Sequence, residues 1–423
     1  MRKLRLSPEF SAVVAESISE LEPFLHDLQE LASSALEPNV FYEPWMLVPA
    51  MRWLASTSVQ LHLVLIFADT ASASPPRQLL SGFFPVKVRR SYNHFPVRTA
   101  RLWRHKHSHL AVPLLRRDNA HAALDAFFKW AATDCRCHVL EFGEVSGEGL
   151  FHQLMIDWLA NNSRANLVDV RYVRPQLNRA QSAEGYFSLT VSKRHQKDLE
   201  KKERKLRQFG PLEYVHAASL EGAQHLIDTF IALEASGWKG KQGVALASVP
   251  AEAGFFREAM SNAWRLGRLE VLGLRLGENI IALKVNLPCP GGSFAYMITF
   301  DEAYSVYSPG LLLEIENVRR IHADTRVAWM DSCADSRSPI FNRVWAEKRV
   351  IETLLVSNNS CLGDFWIAVI PFGHWLRQVF EYAIGKFRAI KLTPTPLSNL
   401  SSQKSSSRRQ TCRRETTNEL QQS

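Results

Sequence analysis

The order strand–helix–strand occurs twice along this chain at similar scale, which restricts it to folds in which helices cover a mixed sheet. In the first run, 61–67 reads as a buried strand and 79–88 as another, parted by the polar turn Ser72-Ala73-Ser74-Pro75-Pro76. A helix over 119–132 follows, with Leu124, Phe127, Phe128 and Ala131 on one face, then a strand at 139–142 and a helix at 149–160. The second run opens near Tyr186. It carries a charged helix over 193–207 stopped by Gly210-Pro211, helices over 220–234 and 253–266, and a hairpin of 269–276 with 280–287 around Gly277-Glu278-Asn279. A strand at 293–299, a helix at 311–322 and a strand at 327–331 complete it, while 345–355 gives mixed signals. The expected fold class is α/β with mixed sheets and a duplicated domain, although no residue-level repeat is visible. The expected boundaries are a helical lead-in (1–37), an N-terminal domain (38–178), a C-terminal domain (179–358), an amphipathic C-terminal helix (359–392) and a disordered tail (393–423) rich in Ser, Gln and Arg.

A chain of 423 residues, 46% hydrophobic and 22% charged, can bury such a core without covalent staples. Its six cysteines are scattered with no Cys-x-x-Cys pair, which argues against a disulfide framework or a structural zinc site and fits a reducing, cytoplasmic setting. Cys135-Arg136-Cys137-His138 reads as a buried strand end. No run of 18 apolar residues occurs, and the basic N-terminus has no apolar stretch behind it, so neither a membrane span nor a secretory leader is expected. The net charge of +9 suits acidic partners such as a nucleotide cofactor, RNA or a membrane surface. Residues 361–391 are amphipathic; with breaks at Pro371 and Gly373 they read as a helix packed on the second domain, with peripheral membrane contact as the alternative.

The most informative stretch is 294–320. A strand ending in Tyr296 to Thr299 leads through Asp301, Tyr304 and Tyr307 into Ser308-Pro309-Gly310 and the helix that starts Leu311-Leu312-Leu313. Ser308 is a good N-cap, Pro309 fits a first helical turn, and Gly310 lets a ligand approach the backbone. Free amides and the helix dipole there suit a pyrophosphate; an ordinary capped helix has the same appearance.

Taken in order, Leu233-Glu234-Ala235-Ser236-Gly237-Trp238-Lys239-Gly240, the hairpin, Ser308-Pro309-Gly310-Leu311-Leu312-Leu313 and an Asp at a strand end resemble the GNAT acetyltransferases associated with cellulose biosynthesis, the CelD type. These are similar to the Fem-type peptidyltransferases, which use two GNAT-like domains. Asn39-Val40-Phe41-Tyr42-Glu43-Pro44-Trp45 looks like that family's opening motif, and the resemblance covers about 36–355. It implies tandem GNAT-like domains, the N-terminal one degenerate, with acyl-CoA as co-substrate and no tightly bound cofactor or metal. Coenzyme A should lie on Ser308, Gly310, Leu311 and Leu312, with the strand through Thr299 pairing with the pantetheine amides. Of the family's Arg/Gln-x-x-Gly-x-Gly/Ala loop only Gly310 remains.

Direct acyl transfer needs a deprotonated nucleophile, a polarised thioester carbonyl and a proton for the thiolate. Glu234 and Asp331 are the candidate base or amine-orienting carboxylates, though a helix-end carboxylate and an N-cap look the same in sequence. Tyr296 and Tyr304 are candidate thiolate acids. Trp238, Lys239, Tyr304, Arg343 and Trp345 are candidate substrate contacts. Lys193, Lys197, Lys201 and Lys205 form a stripe outside the favourable pairs Asp198–Lys202, Glu200–Arg204 and Glu203–Arg207, so the charged helix is either a solvated face or a contact for an anion. His105, His107 and His109 alternate as on the polar face of a strand; a metal site is the alternative. The acceptor expected is a sugar, an amine or a cell-envelope precursor. Rival readings are an aminoacyl-tRNA-dependent transferase and a non-catalytic GNAT-fold subunit of a polysaccharide system.

Overall fold

Thirteen strands of one sheet follow the order β1-β2-β3-β4-β5-β7-β14-β8-β13-β12-β11-β10-β9, with β6 beside β4. They are β1 (Arg2–Arg5), β2 (Phe10–Ala15), β3 (Leu61–Thr70), β4 (Arg77–Arg89), β5 (Thr99–Leu102), β6 (Leu114–Leu115) and β7 (Val139–Ser146). Then come β8 (Asn166–Asn178), β9 (Leu212–His216), β10 (Glu270–Leu276), β11 (Asn279–Cys289), β12 (Gly292–Phe300), β13 (Trp329–Asp331) and β14 (Glu347–Ser357). This computed structural model describes residues 1–55, 60–70, 77–92 and 95–391; the turn at 72–76 and the tail at 393–423 lie outside the described residues. It divides into a unit Met1–Pro371 and a second unit from Phe372 onward.

The duplication read from the element order is present in the topology. In the first half β5 pairs parallel with β7 across the helix Ala120–Thr133; in the second β12 pairs parallel with β13 across the helix Pro309–Ala323. Each parallel pair is flanked by an antiparallel ladder, β3-β4-β5 and β10-β11-β12. The halves then exchange strands. β8 follows β7 in sequence but pairs with β13, whereas β14 follows β13 but pairs with β7. β8 and β14 are antiparallel partners over 166–176 and 347–356, so the sheet is closed at its middle by one strand from each half.

Two layers of apolar residues cover the sheet. On one face Phe230 of the helix Leu220–Ser236 and Phe255, Phe256 and Met260 of the helix Pro250–Arg265 pack in the larger core with Phe41, Phe294 and Tyr296. On the other, Leu311 to Leu313 and Val318 pack with Leu199, Leu206, Leu274 and Trp345. The positions facing each core follow the apolar periodicity of those helices, and that burial is what fixes their orientation.

Several sequence expectations change. The lead-in carries β1 and β2 besides its helix Leu25–Ser33, because Phe10 to Ala15 pairs along β3 and buries Ala12 to Ala15. The mixed signals near 345–355 resolve into β14. The segment 103–113 is not a strand apart from Leu102 and Leu114 at its ends, so the three histidines have no common strand face. The helix Cys361–Lys391 runs through Pro371 and Gly373 without a break. Its Ile367 and Ile370 pack with Val97 and Val139 of the first half and with Leu355, not on the second domain alone. Cys135 and Cys137 are joined as a disulfide. No helix of the described residues is long and apolar enough to cross a membrane.

Candidate active site

β12 and β13 run in register only over Gly292–Trp329, Ser293–Met330 and Phe294–Asp331. From there they part. β12 continues to Phe300 paired on its other side with β11, and no described strand pairs with its inner edge beyond Phe294. Backbone amides and carbonyls along such an edge are free to bind an extended ligand.

At the end of β12 the chain turns into the helix Pro309–Ala323. Ser308 sits at its N-cap in the left-handed region (φ 55°), a conformation uncommon for serine, and its side chain makes no capping bond. Leu311 and Leu312 donate their N–H groups to the Ser308 carbonyl (3.0 and 3.1 Å). Pro309 has no N–H, and the buried Gly310 amide has no backbone partner outside the helix among the described residues. The Lys202 ammonium donates to Ser308 Oγ (3.2 Å) and pairs with Asp198 (3.0 Å). Lys202, His195 and Arg343 line a cavity of about 600 Å³ beside this turn. A helix start with an uncapped amide and an ammonium next to it is suited to a pyrophosphate.

The other side of the parting strands holds the larger core. Tyr296 is buried there among Phe41, His109 and Phe256, with ring centroids 6.1, 6.0 and 6.4 Å away. Its hydroxyl has no hydrogen-bond partner among the described residues, a rare state for a buried phenol. Burial pushes it well above the usual phenol range, with Cys333 and Glu234 adding to the effect, so it stays protonated.

Neither expected carboxylate opens to a cleft. Glu234 is buried, and both its oxygens are taken: Lys239 Nζ donates to Oε1 (2.6 Å) and the Leu246 N–H to Oε2 (2.8 Å). Asp331 is 0% exposed. Arg174 and Arg349 both donate to its Oδ2 (2.6 and 2.7 Å), and the Cys333 N–H to Oδ1 (2.9 Å). Burial alone would raise its carboxyl; the two guanidiniums outweigh that and hold it below the usual carboxylate range. A carboxylate so stabilised is a weak base, and its place is structural.

The remaining expected residues fall in different places. Thr299, Leu311 and Leu312 are buried, and Gly310 packs closely: a Cβ there would lie 3.1 Å from Phe300 Cδ1. Arg343 joins Lys202 on the donor side. Trp345 is buried and donates to Glu314 Oε1 (3.0 Å), which ion-pairs with the buried Lys284 (2.7 Å), so it is a core residue and not a substrate contact. Tyr304 packs against the second core. Trp238 is 53% exposed, and Lys239 is held by Glu234.

Sequence reasoning missed one pair. His107 Nε2 and Glu252 Oε2 are 3.0 Å apart, His107 stacks on Phe255, and Lys106 also reaches Glu252 (2.6 Å). Burial lowers His107 below the ordinary imidazole range in spite of Glu252 and Glu234, so it is neutral near pH 7. His107 stacks on Phe255 and Tyr296 on its chain neighbour Phe256, so both rings lie against the helix Pro250–Arg265. Glu252 opens the helix Pro250–Arg265, 145 residues from His107, and no local motif could have joined them. His109 lies apart on Phe41 and Tyr296.

Residues 193–337 match the family model described as Acetyltransferase (GNAT) domain. The matched region lies in the second of two similarly built α/β halves, so a GNAT-like domain is present there, in a tandem arrangement of halves. The chain is similar in fold to FemX (TM-score 0.51, 8% identity, 78% of this chain and 95% of that one). A conserved protein of unknown function from Bacteroides thetaiotaomicron VPI-5482 is similar as well (TM-score 0.50, 12% identity, 81% of this chain and 98% of that one). No curated protein matches the sequence.

Proposed function

We propose that the chain transfers an acyl group directly from acyl-coenzyme A to an amine or hydroxyl of a sugar, amine or cell-envelope precursor. The observation that carries this is the parting of β12 and β13 at the foot of an uncapped helix start flanked by Lys202. The Gly310 amide and Lys202 hold the pyrophosphate, and the free edge of β12 binds the extended pantetheine. The acyl end then lies beside Tyr296, on the face opposite the helix Pro309–Ala323. There the acceptor nucleophile bonds to the thioester carbonyl carbon and the carbon–sulfur bond breaks. The Tyr296 hydroxyl gives a proton to the departing thiolate, and His107, oriented by Glu252, accepts the proton of the nucleophile.

Titration calorimetry with coenzyme A tests the donor. Binding to the wild type that weakens about ten-fold or more in Lys202→Gln supports it; no binding to either refutes it. A second reading, aminoacyl transfer from charged tRNA as in Fem-type relatives, draws on the exposed stripe Lys193, Lys197, Lys201 and Lys205, which has no ion pair among the described residues. Competition between tRNA and coenzyme A for the protein would favour that reading.

A further inference from the structure

The first half contains a second cationic cleft, distinct from the donor site. A cavity of about 330 Å³ opens beside β4 and β5, lined by Lys87, Arg89, Arg101, Arg104 and Lys106 together with His105. Three of the five cations have carboxylate partners. Arg101 pairs with Glu141 (3.2 Å), Arg104 with Glu144 (3.1 Å) and Lys106 with Glu252 (2.6 Å). Lys87 and Arg89 have none among the described residues. Five cations face three ion-paired carboxylates in a concave site, with Glu141 shared electrostatically between Arg101 and Arg89, an excess of positive charge that favours a bound anion. The crowding is also visible in Lys87, whose ammonium is lowered by burial and then by Arg89 and Arg101.

The cleft borders the candidate base through Lys106. Lys106 and His107 share one carboxylate, Glu252, the first lining the cleft and the second placed as the base. From these contacts we infer that the cleft binds a phosphate or diphosphate group of the acceptor, whose nucleophile then reaches His107. The acceptor role rests on the acyltransferase reading above; the anion site itself does not. The volume fits one phosphorylated small molecule and is too small for a nucleic-acid duplex.

The test is titration of the full chain with inorganic pyrophosphate under saturating coenzyme A, which keeps the probe from the Lys202 site. The expected result is binding that weakens at least about ten-fold in Lys87→Gln/Arg89→Gln, while coenzyme A affinity and melting temperature stay unchanged. Lys87→Arg/Arg89→Lys, which keeps the charges, should bind within about three-fold of the wild type. Equal pyrophosphate affinity in the glutamine variant, or no binding to the wild type, overturns the inference. So does a single-stranded RNA oligonucleotide that displaces pyrophosphate through the same two residues, since that makes the cleft a nucleic-acid contact. Pyrophosphate binding that persists where coenzyme A fails to bind leaves the cleft standing and removes the donor reading.

Discussion

Arg174 and Arg349 stand directly opposite each other on β8 and β14 and donate to the same oxygen of Asp331. Two guanidiniums side by side repel, and Asp331 is what makes their approach tolerable. The pair also ties in the surroundings: Arg174 donates to the His109 carbonyl (2.6 Å), and Arg349 to Glu37 and Ser146 (2.6 Å each). The exchanged strands are thus joined by charge as well as by backbone bonds.

Removing Asp331 should therefore act on stability first. Asp331→Ala leaves the buried Arg174 without its carboxylate and Arg349 with Glu37 alone, and a loss of about 3–5 kcal/mol is expected by chemical denaturation. Asp331 is also an acid sensor. Its folded-state pKa is depressed, so its contribution is present above the unfolded value of about 4 and fades as pH falls through the lower folded one. A wild-type melting temperature that drops below about pH 4 more steeply than that of the variant would show this.

Tyr296→Phe deletes only a hydroxyl that has no partner in the described structure, so the melting temperature should not fall. If the hydroxyl serves the thiolate, turnover should drop on the order of a hundred-fold or more while coenzyme A affinity is kept. Unchanged turnover would exclude Tyr296 from the proton path.

His107→Gln should lower turnover within about the same hundred- to ten-thousand-fold range without weakening coenzyme A binding. Because burial keeps His107 neutral, the wild-type rate should fall toward acid only below the ordinary imidazole range, as the ring gains a proton. An acid limb centred at or above pH 6.5, or one that survives in the variant, would assign the base elsewhere.

At the donor site, Lys202→Gln is a cleaner probe than a substitution at Gly310. Any Cβ at Gly310 presses on Phe300 at 3.1 Å and touches Ile340 at 3.5 Å, so a larger residue disturbs packing along with ligand access. Gly310→Val should lower the melting temperature of the ligand-free protein, which a thermal scan reads directly.

The strand-turn-helix at Ser308 was legible because it is local: strand periodicity, a proline at a first turn and a glycine lie within a few residues. β8 is not among the strands read from the sequence, although Val168, Val170 and Tyr172 alternate, and its place beside β13 depends on pairing across about a third of the chain. What the sequence hid was long-range. Asp331 reads as a free strand-end carboxylate until Arg174, 157 residues away, is seen against it. Lys202 reads as one of a helix's i,i+4 pairs, which it is, and only the fold shows Ser308 beside it, 106 residues on. The alternating histidines misled because 103–113 has the spacing of a strand but no neighbour to pair with.

The exchanged strands also bear on how the chain is made. β7 ends at Ser146, and the strand that covers its outer edge begins at Glu347, about 200 residues later; at a typical synthesis rate this is a delay on the order of 10–40 s on the ribosome. During that interval the nascent first half carries an unpaired, largely apolar strand edge, the kind of surface that invites pairing with another chain. Its own β8 is already made, but β8 pairs with β14 and β13 and gives β7 no cover. Protection of that edge by a holdase until the last strand emerges is therefore expected to govern the yield of soluble protein.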